Sequence, residues 1–214
     1  CVGGTRQEIG ELLDLYREHG INRIVALRGD MPSGMGAAGE LRYANELVEF
    51  IREHSGDTFN LEVAAYPEFH PQARNAEEDL KNFARKVQAG ANSAITQYFF
   101  NADSYFYFID RLEKMGVTIP VVPGIMPIVN FSNLVRFSDM CGAEIPRWIR
   151  KQLEAYGDDR ESIRKFGEEV VTEMCEKLLA AGAPGLHFYT LNQVEPSISI
   201  WKNLGISERE KIAF

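Results

Sequence analysis

The chain has 214 residues, 45% of them hydrophobic and 25% charged, which is enough for one large domain with a substantial core. Its net charge of −8 argues against nucleic acid as the main partner, because binding a phosphate backbone requires a dense basic face and none is visible. No apolar run approaches the roughly 20 residues that span a bilayer, and no signal peptide opens the chain, so no membrane partner is expected. The cysteines Cys1, Cys141 and Cys175 are far apart, which predicts neither a disulfide framework nor a zinc site and favours the cytoplasm.

Predicted helices and strands alternate along the whole chain. The capping box Thr5-x-x-Glu8 opens the first helix, and Gly20 ends it. The spacing of apolar residues predicts helices over 6–19, 39–54, 75–90, 102–115, 130–140, 146–156, 159–181 and 194–204. Apolar runs between them predict strands over 22–28, 60–66, 92–98, 119–125 and 185–190, with a strand remnant at Cys1-Val2.

Polar or kinked sequence follows each of the five predicted strands. Short apolar strands separated by helices are typical of parallel βα units, which form either an open sheet or a closed barrel. A barrel gathers all its strand ends at one mouth, whereas an open sheet uses mainly the ends beside its switch point. Solvated turns would explain one such strand end, but five in succession favour an α/β fold of the (β/α)8 TIM barrel type. The five ends are residues 27–30, 66–71, 96–100, 123–127 and 187–192.

Six strings, in this order and spacing, carry a family resemblance: ALRGD, VAAYPE-x-HP, RKV-x-AGA, AITQ-[YF]-FF, PGI-x-P and HFYTLN. Over essentially its whole length the chain resembles the methylenetetrahydrofolate reductase family. The resemblance implies a (β/α)8 barrel that holds FAD at the mouth formed by the strand ends. It implies that NADH or NADPH reduces the flavin, and that the flavin reduces 5,10-methylenetetrahydrofolate to 5-methyltetrahydrofolate. It also implies a homo-oligomer.

The chain is short for such a barrel, which runs to roughly 250 residues or more. Residues 1–214 are therefore expected to be a single barrel domain, the C-terminal two-thirds of a catalytic domain, with about five complete strands. The family's general acid is a glutamate in a stretch resembling F-E-F-F-P-P, and this chain has no such stretch. The 214 residues alone are expected neither to close the barrel nor to turn over.

Asp30 directly follows a predicted strand and the pair Arg28-Gly29. A carboxylate beside the pyrimidine edge of a flavin disfavours the anionic reduced form and stabilises a cationic iminium on the folate. The resemblance gives this catalytic role to Asp30. The alternative is a solvated loop aspartate or an R-G-D tripeptide of the cell-adhesion type.

Cations are expected to neutralise the FAD pyrophosphate, and Arg28, Arg85 and Lys86 are the candidates. Asp79, Asn82 and Lys86 share one face of a predicted helix, which read alone is typical of a solvated face. The resemblance makes this face a flavin contact. The complete set of cofactor-binding residues that it implies is Arg28, Gly29, Asp30, Tyr43, Ala44, Tyr66, His70, Ala73, Asp79, Asn82, Arg85 and Lys86.

Substrate contacts are implied at Asp30, Gln97, Asn133, Phe137 and Gln193. The Gln97 amide can both donate to and accept from the amide edge of a pterin. Phe137 matches an aromatic that packs on the aminobenzoate, with ordinary core packing as the alternative. Asn133 replaces the expected glutamine and Gln193 the expected arginine, which puts the contacts to the folate tail in doubt.

Two local patterns point to other kinds of site. His70, with Glu68 and Asp30, is an alternative metal ligand, but no second loop histidine supports it and no metal is predicted. Residues 34–39 spell G-x-G-x-x-G, but four residues separate them from Gly29, whereas a dinucleotide fingerprint turns directly off its strand. No ribose-reading motif distinguishes NADH from NADPH.

Three other readings of the chain remain open. An FAD barrel similar to proline dehydrogenase would differ in substrate, and a pterin-binding methyltransferase barrel would use no flavin. A non-enzymatic binding module derived from a broken barrel is the third. Flavin absorption excludes the methyltransferase, and activity with NADH and menadione but not proline excludes the dehydrogenase.

Overall fold

The computed structural model describes residue 1 and residues 3–30 and 39–206, which form an α/β fold of eight helices and six short strands. The helices are α1 Arg6–Glu18, α2 Ala44–Ser55, α3 Ala76–Gln88, α4 Ala102–Lys114, α5 Phe131–Cys141, α6 Arg147–Tyr156, α7 Arg160–Ala180 and α8 Glu195–Asn203. The strands are β1 Arg23–Ala26, β2 Asn60–Ala65, β3 Ser93–Thr96, β4 Val121–Val122, β5 Gly124–Ile125 and β6 His187–Phe188. No helix in these ranges is long and apolar enough to cross a bilayer.

Internal contacts divide the chain into two compact units. Among the described residues, unit 1 comprises those within 1–65, 73–95 and 111–121, and unit 2 comprises those within 66–72, 96–110 and 122–206. The strands form one sheet in the order β1-β2-β3-β4 and a second sheet of β5 and β6.

Unit 1 is built on the parallel pair of β1 and β2, whose register runs from Arg23 opposite Asn60 to Ala26 opposite Val63. Side chains alternate between buried and less buried along β2, as expected where one face of a strand meets the core. Helix α2 packs on β1 and contacts both α1 and α3. It buries Leu47, Val48 and Ile51, which confirms the apolar stripe predicted for this helix.

Helix starts in unit 1 follow from single side chains. At α1 the Thr5 hydroxyl accepts from the Glu8 backbone N–H at 3.2 Å and the Glu8 carboxylate accepts from the Thr5 N–H at 2.9 Å, which confirms the capping box. The predicted start of the next helix at residue 39 is wrong. The carboxylate of Glu46 accepts from the backbone N–H groups of Arg42 and Tyr43, at 2.6 and 3.1 Å, so the helix begins at Ala44.

Unit 2 contains the parallel pair of β5 and β6, with Gly124 opposite His187 and Ile125 opposite Phe188. Helix α7 packs against α6 and α8. The prediction of one continuous strand over 119–125 is wrong, because Pro123 has no N–H to donate to a ladder and separates β4 from β5. The count of five strands therefore becomes six.

Three further predicted strands are shorter than expected. Strand 22–28 is reduced to β1, 92–98 to β3, and 185–190 to β6. Gly29 follows β1 with φ of 81°, a left-handed conformation that turns the chain out of the strand direction. The strand remnant at Cys1-Val2 includes Val2, and the G-x-G-x-x-G segment includes residues 34–38; all of these lie outside the described residues.

Candidate functional site

In unit 1, the turn after β1 presents a cation and an anion. The Arg28 Nε donates to the Gly29 carbonyl at 3.1 Å, and its Nη2 lies 4.0 Å from Oδ1 of Asp30. The Asp30 side chain is fully exposed, whereas the Arg28 side chain is 29% exposed. An exposed carboxylate next to a half-buried guanidinium is accessible to a ligand, and the catalytic role of Asp30 stays a prediction.

Lys86 is the predicted cofactor residue with the most distinctive surroundings. Its ammonium donates to the carbonyl of Ala64, the next-to-last residue of β2, and lies 5.4 Å from the Phe83 ring centroid. Burial lowers the pKa of Lys86 to about 8, against the opposing effect of the Asp79 carboxylate. A desolvated cation at a strand end is suited to binding a phosphate group, because the negative charge of the phosphate would compensate for the water that the ammonium has lost.

The other predicted cation of α3 has different partners. Arg85 is 58% exposed, its Nη1 donating to Asn82 Oδ1 at 2.6 Å and lying 3.6 Å from Glu78 Oε1. Asn82 is thus bonded to Arg85, while Asp79 acts electrostatically on Lys86. Tyr43, 58% exposed, caps the start of α2 immediately before Ala44, and Ala73 is half-buried at the start of a unit 1 segment.

In unit 2, residues 66–72 form a loop fastened at several points. The rings of Tyr66 and His70 meet edge to face at 4.6 Å, and His70 Nδ1 accepts from the Gln72 N–H at 3.0 Å. The Glu68 carboxylate accepts from the backbone N–H of Glu144 at 2.8 Å. Burial is the main cause of a raised pKa for Glu68. The loop therefore presents Tyr66 and His70 from a supported backbone.

Gln97 follows β3 and is half-buried, its Oε1 accepting from the Tyr98 N–H at 3.0 Å. The Tyr98 hydroxyl lies 3.1 Å from the Ser138 hydroxyl of α5 in a buried setting. Burial raises the pKa of Tyr98, which keeps the phenol neutral. This bond connects the segment that bears Gln97 to the helix that bears both predicted aminobenzoate and tail contacts.

Helix α5 begins at a cap that involves one predicted substrate residue. The Asn130 side chain accepts from the Asn133 N–H at 2.8 Å, leaving the exposed Asn133 side chain in the first turn. Phe137, one turn later, is half-buried, with the Arg136 guanidinium 5.1 Å from its ring centroid. A half-buried aromatic keeps part of its face for a ligand, in contrast to the buried Leu134 beside it.

The end of β6 has an unusual backbone. Leu191 and Asn192 have φ of 48° and 60°, the only non-glycine residues with positive φ among the described ones. Each such residue costs of order 1 kcal/mol or more unless its side chain tolerates this region, as asparagine does. The turn is closed by Gln193, whose N–H donates to the Thr190 carbonyl at 2.8 Å and whose side chain is exposed.

Several residues that hold these segments had no predicted role in binding or catalysis, although the sequence suggests Glu68 as an alternative metal ligand. They are Glu68, Thr96, Tyr98, Ser138 and Tyr189. A polar residue at the end of an apolar strand is a signal that the sequence offers for a supporting residue. Thr96, at the end of β3, has this pattern and is fully buried. The partners of Glu68 and Tyr98 are 76 and 40 residues away, respectively, so no local pattern could have identified them. No group of three or more His, Cys, Asp or Glu side chains that could hold a metal occurs in the described ranges.

Comparison with known proteins assigns the family. The family model described as methylenetetrahydrofolate reductase matches residues 1–205. The chain belongs to this family. The 5,10-methylenetetrahydrofolate reductase of Escherichia coli (strain K12) is 41% identical over 206 residues, which is 96% of this chain and 68% of that protein.

Other members of the methylenetetrahydrofolate reductase family are longer. Methylenetetrahydrofolate reductase (NADH) 1 of Zea mays is 38% identical over 226 residues, covering 100% of this chain and 38% of the maize protein. Among solved structures, an uncharacterized protein from Clostridium thermocellum, described as binding two copies of 5-methyl-5,6,7,8-tetrahydrofolic acid, matches with a TM-score of 0.59 at 20% identity. The match covers 96% of this chain and 70% of the Clostridium thermocellum chain, and it supports the α/β fold.

Proposed function

We propose that the protein reduces 5,10-methylenetetrahydrofolate to 5-methyltetrahydrofolate, with FAD as cofactor and NADH or NADPH as reductant. The observation that carries this proposal is the family match over residues 1–205. We propose also that the chain forms most of a single (β/α)8 barrel domain, that it acts as a homo-oligomer, and that it resides in the cytoplasm.

FAD would supply the relay that carries hydride from the nicotinamide to the folate. The side chains of this chain are compatible with such a group, because the Lys86 ammonium is held at the end of β2 and Arg28 is half-buried after β1. In our proposal Lys86 and Arg28 neutralise the pyrophosphate, aided by Arg85. The remaining proposed cofactor contacts are Gly29, Asp30, Tyr43, Ala44, Tyr66, His70, Ala73, Asp79 and Asn82.

Asp30 is the proposed catalytic residue. Its carboxylate would disfavour negative charge on the reduced cofactor and stabilise the cationic iminium form of the folate, the electrophile that accepts hydride. The full exposure of its side chain supports this role, because the carboxylate can reach a ligand while it lies 4.0 Å from the Arg28 guanidinium.

The folate contacts that we propose are Gln97, Asn133, Phe137 and Gln193, in addition to Asp30. Gln97 uses its oxygen for the Tyr98 N–H, which orients the amide so that its NH₂ can donate to the pterin. The fold neighbour from Clostridium thermocellum is described as binding a methylated tetrahydrofolate, which supports folate as the ligand class. The maize relative is named an NADH enzyme, so NADH is the reductant to test first.

The test is the visible absorption spectrum of the gene product that carries this chain. We expect a flavin spectrum that NADH or NADPH bleaches and methylenetetrahydrofolate restores. Asp30→Asn should keep the spectrum and the bleaching but slow the restoration by about 10² to 10³-fold, the usual loss when a group that stabilises transition-state charge is removed.

Asp158→Asn is the matched control, since Asp158 is an exposed aspartate with no proposed role. Failure of both nicotinamides to bleach the protein would exclude the reductase. Equal restoration rates in the Asp30 and Asp158 variants would exclude the catalytic role of Asp30.

A further inference from the structure

A cavity of about 280 Å³ lies within unit 2. Three segments line it: residues 127–129, Arg164 and Glu168 of α7, and the turn and first helical residues at 193–200. Cavities for whole drug-sized ligands are typically 300–1,000 Å³, so this one is suited to one arm of a larger ligand. Gln193, a proposed folate contact, is part of its lining.

The close approach of α7 to residues 127–129 depends on Gly167. A β-carbon at this position would lie 2.5 Å from the Ile128 carbonyl oxygen and 2.6 Å from the Ile128 Cβ. Residues three and four apart on a helix share a face, so the helix that contacts Ile128 at Gly167 also brings Arg164 and Glu168 to the cavity. Close packing at Gly167 therefore fixes the helix backbone from which Arg164 extends.

The charged groups of the lining are not equivalent. Glu168 accepts from the Asn203 side-chain amide at 2.7 Å and is engaged in fastening α7 to α8. Glu195 lies in the first turn of α8, on the exposed surface. In the part of the chain that the structure describes, Arg164 makes no salt bridge and no side-chain hydrogen bond. Arg164 is thus the cation that a ligand can use.

The walls of the cavity are mainly apolar, from Pro127, Ile128, Val129 and Ile200. Apolar walls with one available cation suit an aromatic or aliphatic arm that ends in a carboxylate. The substrate proposed above has such an arm, an aminobenzoyl group joined to glutamate. Gln193 can donate its amide to a carboxylate but carries no charge, so the positive charge must come from another residue.

We infer that this cavity receives the glutamyl tail of the folate and that Arg164 binds its carboxylate, which makes Arg164 a specificity-determining residue for folates that carry glutamate. This inference rests on the proposed function. Glu195 and Glu168 limit the affinity of the cavity for anions, and the exposed Glu195 weakens tail binding through its charge.

The test compares two ligands, 5-methyltetrahydrofolate and the pteroate analogue that lacks glutamate, by isothermal titration calorimetry. Arg164→Gln should weaken the folate about fivefold to tenfold and leave the affinity for the pteroate unchanged, as expected for one partly exposed charge pair. Arg164→Lys should recover most of the affinity for the folate that Arg164→Gln loses. Glu195→Gln should tighten the folate and leave the pteroate unchanged.

Arg160→Gln is the matched control, because Arg160 begins the same helix but does not line the cavity. If Arg164→Gln lowered the affinity for the two ligands equally, or lowered neither, the inference would be overturned while the reductase proposal stayed intact. Binding of neither ligand to the unmodified protein would instead remove the proposed function, and the tail site with it.

Discussion

In unit 1, β1 and β2 pair over four residues through their main chains, whereas in unit 2, β5 and β6 pair over only two. Side chains compensate in unit 2. The Thr96 hydroxyl accepts from the Gly124 N–H at 2.8 Å, and the Tyr189 hydroxyl donates to the Thr96 carbonyl at 2.8 Å. A long ladder distributes its stability over many bonds, and a short one depends on a few atoms. Unit 2 should therefore be far more sensitive to single substitutions at its strands.

The strongest test of this difference is Gly124→Ala. An added β-carbon would lie 2.1 Å from the Thr96 carbonyl oxygen and 2.6 Å from Tyr189 Cε2, so the backbone itself must move. We expect the free energy of unfolding to fall by about 3 kcal/mol or more, at the upper end of the cost of overpacking. Urea denaturation measures it.

Gly185→Ala serves as the control, because nothing lies within 4 Å of the added carbon there. Equal stability changes in the two alanine variants would contradict the tight packing at Gly124, and with it the contrast between the units.

A smaller effect is expected for Thr96→Val, which keeps the shape and removes the hydroxyl. The N–H of Gly124 would lose its acceptor in a buried setting, at a cost of about 1–3 kcal/mol. Thr172→Val is the matched control, because the Thr172 hydroxyl is buried without a hydrogen-bond partner. That variant should be neutral or slightly stabilising. Thermal unfolding of both variants measures the difference. A loss of stability in Thr172→Val as large as that in Thr96→Val would argue against a stabilising hydrogen bond from the Gly124 N–H to the Thr96 hydroxyl.

The smallest effect concerns pH and Glu68→Gln. A carboxyl group whose pKa is raised by burial binds its proton more tightly in the folded chain than in the unfolded one. Its contribution to stability therefore declines as the pH rises from the ordinary value of 4.5 through the raised pKa. Glutamine removes this titration and can still accept from the Glu144 N–H.

The variant should thus gain stability relative to the unmodified protein as the pH rises from 4 to 7, in chemical denaturation at each pH. Glu169→Gln, at an exposed glutamate, should show no such trend. If the stability difference between Glu68→Gln and the unmodified protein stayed constant from pH 4 to 7, the titration of Glu68 would not be its cause.

The same contrast separates what could be predicted from the sequence from what could not. The capping box at Thr5 and the apolar stripe of α2 depend on residues a few positions apart, and both predictions are confirmed. The split of the predicted strand 119–125 depends on Pro123, and the bonds that replace its ladder join residues 28 and 93 positions apart. Periodicity contains no information about such pairs.

The candidate site shows the same division between local patterns and long-range contacts. Polar residues at strand ends, such as Asp30 and Gln97, are visible in the sequence because they interrupt apolar runs. The supports behind them, such as Glu68 on Glu144 and Tyr98 on Ser138, arise only when distant segments fold together. Their roles in binding remain predictions for the experiments above.

The two consecutive left-handed residues after β6 have a consequence for how substitutions should be tolerated. Leu191 is 52% exposed, and exposure alone would class it as freely replaceable. Its φ of 48° reverses that expectation, because valine, isoleucine and threonine enter this region at high cost, whereas glycine and asparagine enter it readily. In a saturation library, position 191 should accept residues according to backbone shape and be largely indifferent to polarity, unlike most surface positions.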